Sequence, residues 1–145
     1  MMRAVIDTNI LIRSLIKPHG TVGPIISRWR DGDYALVYSA PLVDELVATL
    51  SLPRIRVKYH VGVEEVEALV ALIVLRGERV TPTRKVKLCR DPKDDMFIEA
   101  ALAGEAQYVV TGNDDLLTLK KFETVRFVTP RAFLANLSTW SPTIR

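Results

Sequence analysis

Apolar positions along the chain alternate between a strand-like and a helix-like rhythm. Residues 3–7 form a short β-branched run that ends in Asp7, with the turn-former Asn9 just beyond, and they predict a buried strand. Ile10, Leu11, Leu15 and Ile16 then recur at helical spacing until Pro18-His19-Gly20 breaks the pattern. Val22, Ile25, Ile26 and Trp29 predict a second helix, and residues 34–38 a second strand. Ser39 stands where an N-cap belongs, ahead of a stripe formed by Leu42, Val43, Leu46, Val47 and Leu50. A short basic segment, 53–60, leads to a helix over 63–75, with acids early where the helix dipole favours them.

The second half repeats the rhythm. A brief strand at 78–81 is followed by a basic connection over 82–90. Asp91-Pro92 opens a predicted helix that runs to 103 or 104, with proline at its first position. Strands follow at 107–111 and 124–128, separated by a short helix around Leu116, Leu117 and Leu119, and a last helix spans 130–137. Strands alternating with helices predict an α/β fold with a mostly parallel sheet, whose functional crevice lies beyond the carboxyl ends of the strands. One domain is expected over 1–137, with an irregular tail over 138–145.

Composition adds limits. A chain of 145 residues with 48% apolar and 26% charged residues is ordinary for one globular domain and can build a core unaided. The single cysteine, Cys89, excludes an internal disulfide framework. The early acid at Asp7 argues against a signal peptide, and no apolar run approaches the ~20 residues of a membrane span. A soluble, cytoplasmic protein is expected. With 20 basic and 17 acidic residues the net charge is +3, a weak pointer to a polyanionic partner.

The placement of the acids is more informative. Asp7 ends the first strand, Glu45 lies a turn inside the helix after the second, and Asp91, Asp94 and Asp95 cluster before another helix. Asn113, Asp114 and Asp115 follow the strand at 107–111 directly. Each has an ordinary structural role open to it: Asp91 as an N-cap, Asp94 at the third helical position, Asp114 and Asp115 as caps of the leucine helix. Together they crowd one edge of the sheet. Hard oxygen donors without His or Cys suit Mg²⁺ or Mn²⁺ better than zinc, and no Gly-rich phosphate loop is present.

Four segments in order carry a family resemblance: Val5-Ile6-Asp7-Thr8-Asn9; residues 39–46 around Glu45; Asp91-Pro92-Lys93-Asp94-Asp95 running into 97–101; and residues 108–116 around Thr111 and Asn113. The sequence resembles the PIN-domain nucleases, in particular the VapC-like branch of toxin components from toxin–antitoxin pairs. The resemblance implies a three-layer α/β/α sandwich around a sheet of about five strands, and a metal-dependent endoribonuclease site. By it Asp7, Glu45 and Asp94 match the family acids. Asp95 competes for the third place, and Asp94 is preferred because the Asp-Pro-x-Asp form of this branch fits it. Asp115 matches a further acid, while Asn113 stands where the family usually has aspartate. Asp7, Glu45, Asp94, Asn113 and Asp115 are the expected metal donors.

Thr8, Asn9 and Thr111 are the expected substrate-positioning groups, and Arg13, Arg84, Lys85 and Lys87 the expected phosphate-binding cations. Arg54, Arg56, Lys58 and His60 form a further cluster. Trp29, Trp140 and the stripe at 69–73 read as core or dimer contacts. RNA, a cognate antitoxin and a second copy of the chain are the partners implied. Two rival classes are a non-catalytic RNA- or partner-binding module, supported by Asn113, and a receiver-like signalling domain. The latter wants an acid pair after strand one and an acid ending strand three, which Asp7 alone and Thr81-Pro82-Thr83 do not supply.

Overall fold

In the computed structural model, which describes residues 1–139, the chain runs β1 (Arg3–Ile6), α1 (Thr8–Ile16), α2 (Pro24–Arg30), β2 (Ala35–Tyr38), α3 (Ala40–Leu50), α4 (Pro53–Tyr59) and α5 (Val63–Arg76). It continues through β3 (Glu78–Arg79), α6 (Asp95–Ala103), β4 (Tyr108–Val110), α7 (Asp114–Leu117), β5 (Lys121–Phe122), β6 (Val125–Val128) and α8 (Pro130–Thr139). The sheet order is β3-β2-β1-β4-β6-β5, parallel throughout except for the β5–β6 pair.

Strand alternation divides the core in two. Ala4, Ile6, Leu36, Tyr38 and Val110 face one side and pack with Ile10, Leu11, Trp29, Leu46, Leu69, Ile73 and Phe133 from α1, α2, α3, α5 and α8. Val5, Val37, Val109, Val125 and Phe127 face the other, against Phe97, Ile98, Ala100 and Ala101 of α6 and Leu116 of α7. Both faces are covered, which is why the central strands read as nearly continuous apolar runs. This is the expected α/β/α layering. α3 straddles its edge, with Leu42 in the second cluster and Leu46 and Leu50 in the first.

Trp29, Leu69 and Ile73 are core residues. The expected dimer alternative for them is therefore withdrawn, because their side chains are covered within the chain; Trp140 lies outside the described residues.

Several elements differ from the sequence expectation. The sheet has six strands because Lys121–Phe122 folds back on β6 through a two-residue connection, Glu123-Thr124. Glu123 adopts φ 54° there, without the glycine or asparagine that usually marks such a hairpin. The basic segment is a helix, α4, with Pro53 in its first turn; it buries no residue, so it shows no apolar stripe to read. α8 extends through Ser138 and Thr139, where the Ser138 hydroxyl donates to the Leu134 carbonyl at 3.1 Å. The rest of the expected tail lies outside the described residues.

Ser39 precedes α3, but its buried hydroxyl has no hydrogen-bond partner among the described residues; Pro41 at the second helical position has no N–H to offer, and Leu42 N–H goes to the Ser39 carbonyl at 3.1 Å. α6 begins at Asp95, not Asp91. Residues 91–97 form a tight run of i→i+3 bonds first, with Asp94 N–H on Asp91 O (3.0 Å) and Asp95 N–H on Pro92 O (3.2 Å).

Candidate active site

The chain leaves β1 for β2 on one side and later returns with β4 on the other, so β1 and β4 flank the point where strand order reverses. Ligand crevices in open α/β sheets form at the carboxyl side of such a point. Asp7 lies there. Its N–H extends the ladder to Val110 O (2.9 Å) and its side chain caps α1, Oδ1 accepting from Asn9 N–H at 2.9 Å. Oδ2 accepts from the Thr111 hydroxyl at 2.7 Å, and Thr111 in turn accepts from Asn113 N–H at 3.0 Å. Asp7 is only 4% exposed. Burial pushes its carboxyl above the usual range, against the opposing pull of those two hydrogen bonds.

Around it opens a cleft of about 260 Å³, lined among others by Thr8, Asn9, Glu45, Asp91, Lys93, Asp94 and Asn113. Partial burial raises Asp94, the Asn113 hydrogen bond lowers it, and the charges of Asp91, Asp7 and Asp115 raise it further. None of the ion pairs among the described residues involves Asp7, Glu45, Asp91 or Asp94. Four carboxylates thus share a small cleft in which Lys93 is the one cation among the described residues that line it.

The sequence-predicted residues separate into two groups. Asp7, Glu45, Asp94, Asn113, Thr8 and Asn9 come together. Thr111 is fully buried and acts on Asp7 from behind. Asp95 turns the other way: its Oδ1 accepts from Leu88 N–H (3.1 Å) and Cys89 N–H (2.9 Å), tying the basic connection down. Asp115 is engaged with Arg90 at 2.8 Å and does not line the cleft. Arg84 pairs with Glu123, and Arg84, Lys85 and Lys87 all lie outside the cleft lining. Arg13 lines a neighbouring groove. Sequence reasoning underrated Asp91 and passed over Lys93. Both stand in the quoted Asp91-Pro92-Lys93-Asp94 segment; Asp91 caps the turn before α6, its Oδ1 accepting from Lys93 N–H at 2.9 Å, and that bond is compatible with a place in the cleft.

Asn113 does not present an oxygen to the cleft. Its Oδ1 accepts from Asp115 N–H (2.9 Å), capping α7, and its Nδ2 donates to Asp94 Oδ2 (2.9 Å). The expected role of its amide oxygen as a metal donor is therefore not how the side chain stands. As for the metal itself, carboxylate oxygens that no ion pair among the described residues engages are the right donor chemistry for Mg²⁺ or Mn²⁺. Among the described residues, however, no three acidic, histidine or cysteine side chains close on one point as a ready-made cage. Magnesium tolerates that, since it keeps several waters and takes only one or two carboxylates directly.

The PIN domain family matches residues 3–115, which hold every acid of the cleft. The chain belongs to the PIN domain family. Over 119 residues this PIN domain is 27% identical to uncharacterized protein MJ1680 of Methanocaldococcus jannaschii, spanning 82% of this chain and 76% of that protein. It also resembles the crystal structure of VapBC2 from Rickettsia felis bound to a DNA fragment from their promoter. That likeness has a TM-score of 0.55 at 15% identity, covers 87% of this chain and 97% of that one, and is a likeness of fold. In this PIN domain no helix among the described residues is long and apolar enough to cross a membrane.

Proposed function

We propose that this PIN domain is a divalent-metal-dependent endoribonuclease and the toxin half of a toxin–antitoxin pair. The observation that carries the reading is Asp7: a buried carboxylate at the switch point of the sheet, without a cationic partner among the described residues, opening onto a cleft that Glu45, Asp91 and Asp94 also line. Carboxylates so arranged repel one another when ionised, and a divalent cation relieves that repulsion. Asp7 and Asp94 would hold Mg²⁺ or Mn²⁺, with Glu45 and Asp91 orienting its waters. Bound there, the ion supplies charge relief for the phosphoryl oxygens and a nucleophilic water at neutral pH. Thr111 and Asn9 fix the rotamer of Asp7 through their hydrogen bonds. Thr8, Asn9 and Lys93 line the cleft where a phosphodiester would lie, Lys93 offering it a positive charge.

RNA, a cognate antitoxin and a second copy of the chain are the partners this reading carries, in the cytoplasm. Membership of the PIN family supports the nuclease, and the VapBC2 likeness supports the antitoxin.

Asp7→Asn tests the site. Asparagine keeps an acceptor for Asn9 N–H and a neighbour for Thr111, so the fold survives and loses the cost of burying a charge. The wild type is expected to cut single-stranded RNA only with Mg²⁺ or Mn²⁺, and Asp7→Asn to lose at least about 10²-fold in kcat. A folded Asp7→Asn protein with full activity would place the chemistry elsewhere. A second reading, a binding module without catalysis, draws on Asn113, which gives Asp94 a donor where a fourth acid is expected. Such a module holds RNA equally well in excess chelator and leaves it intact with Mn²⁺.

A further inference from the structure

On its β4–α7 side the acidic cleft is lined by no carboxylate among the described residues. Asn113 commits its Oδ1 to Asp115 N–H and turns its amino group to Asp94 Oδ2, while Asp115 is drawn away to Arg90. Two divalent ions ~3.5–4 Å apart repel each other and need carboxylates around and between them. Here one whole side supplies none, and Asp94, which a pair would share, already has an amide on one oxygen. Lys93 stands on the same cleft. Its backbone is fixed, its N–H donating to Asp91 Oδ1 (2.9 Å) and its carbonyl accepting from Met96 N–H (3.4 Å), so the side chain starts between Asp91 and Asp94. Lys93 is exposed and enters none of the ion pairs among the described residues, which leaves its ammonium uncommitted.

We infer that Lys93 is a catalytic residue: in a cleft built for one divalent ion, its ammonium supplies the second positive charge that phosphodiester hydrolysis draws on. Charge links Lys93 to Asn113. Against a cleft with aspartate at 113 and a neutral residue at 93, this one carries one negative charge fewer and one positive charge more. The difference is the charge of one divalent ion. In hydrolysis the water oxygen bonds to phosphorus as the ester P–O bond breaks, and the electron pair of that bond stays on the departing oxygen. The water gives up one proton and the departing oxygen gains one, both through solvent. Lys93 offsets the negative charge that gathers on the phosphoryl and departing oxygens, the work of the second ion in a two-metal site. A lysine suits this role, because it meets phosphate as a point charge on a flexible stem. The reaction assigned to Lys93 rests on the nuclease reading above; the count of ions does not need RNA.

The test counts Mn²⁺ on metal-free protein at neutral pH by electron paramagnetic resonance, where bound ions leave the free aqueous signal. Wild type is expected to take up a single ion per chain. Lys93→Gln should bind that ion roughly tenfold more tightly, since a like charge has left the cleft. The double variant Lys93→Gln/Asn113→Asp should take up a second ion, with the spin-coupled signal of two ions ~3.5–4 Å apart. With single-stranded RNA and saturating Mn²⁺, Lys93→Gln should lose about 10²-fold in kcat. Lys93→Arg, which keeps the charge, should stay within about tenfold of wild type. Lys93 is exposed, so the single variants fold and carry the test even if the double variant is unstable.

Two ions on the wild-type chain would overturn the inference and leave the nuclease standing. So would Lys93→Gln with wild-type kcat and wild-type Mn²⁺ affinity, which would make Lys93 a solvated side chain at the rim. A folded double variant that still takes up one ion would show that Asn113 and Lys93 do not set the count, and would overturn it as well. No ion bound at all would remove the metal reading itself and this inference with it. The two readings thus fail on different counts, none for the metal-dependent nuclease and two for the role of Lys93.

Discussion

Two hydrogen bonds decide what Asn113 shows to the cleft. Because Asp115 N–H needs an acceptor, the side-chain oxygen must face α7, and the amino group is left for Asp94. Asn113 therefore does for Asp94 part of what a cation would do, holding its carboxylate ionised and in place. Replacing it by aspartate keeps the cap but sets two carboxylates against each other at hydrogen-bond distance. Metal-free Asn113→Asp should lose about 1–3 kcal/mol at neutral pH and gain a larger rise in Tm on adding Mn²⁺. Thermal unfolding with and without Mn²⁺ checks both; a variant that moves neither quantity would separate Asn113 from Asp94 in solution. At this scale the sequence was informative about which residues gather, less so about how they point. Adjacent helical positions diverge by ~100°, so only one of Asp94 and Asp95 could face the cleft. The Asp-Pro-x-Asp form of the segment already favoured Asp94, and the tight turn at 91–97 is what brings it to the cleft.

The connection between β3 and α6 has no regular structure of its own and is held by α6 instead. Asp95 takes the amides of Leu88 and Cys89, and Glu99 Oε2 takes Val86 N–H at 3.0 Å. Removing the Asp95 carboxylate strands two backbone donors, so Asp95→Ala should destabilise by about 1–3 kcal/mol in urea unfolding. Asp95→Asn, which keeps an acceptor, should cost less. The same pair reports on Cys89, whose thiol is pushed up to about 12, first by burial and then by the neighbouring Asp95 carboxylate. In Asp95→Asn the burial remains and the charge is gone, so the pH at which Cys89 alkylates with iodoacetamide should fall part of the way back. An unchanged pH profile would mean that the carboxylate does not face the thiol. Elements with two buried faces or a clear stripe, such as β1, β2, β4 and α5, were legible in the sequence. α4 and β5 were not: the helix buries nothing, and the hairpin turns on Glu123, a residue that ordinarily avoids positive φ.

For the molecule as a whole, the acids of the cleft couple stability to pH and to metal through one set of charges. Asp7 and Asp94 are both raised above 3.8, mainly by burial. Between 3.8 and their raised values the folded chain binds more protons than the unfolded one, so stability falls as pH rises through that window and stays reduced above it. Metal-free protein should therefore gain Tm as the pH is lowered through that window toward 3.8. Further acidification then reaches acids of the opposite kind, such as Glu123, which Arg84 holds below the usual range. Mg²⁺ or Mn²⁺ binds the ionised forms and competes with the same protons. Its stabilisation should be largest at neutral pH and shrink as the pH falls, because each proton taken up on Asp7 or Asp94 removes a donor. Asp7→Asn removes the more deeply buried of the two charges. It should flatten the metal-free rise in Tm and weaken the response to Mn²⁺ together, measured by thermal unfolding over a pH series with and without the ion. If Asp7→Asn keeps the wild-type pH profile, the charge cost lies in some other group; if it loses the pH profile but keeps the full Mn²⁺ response, the ion binds away from Asp7.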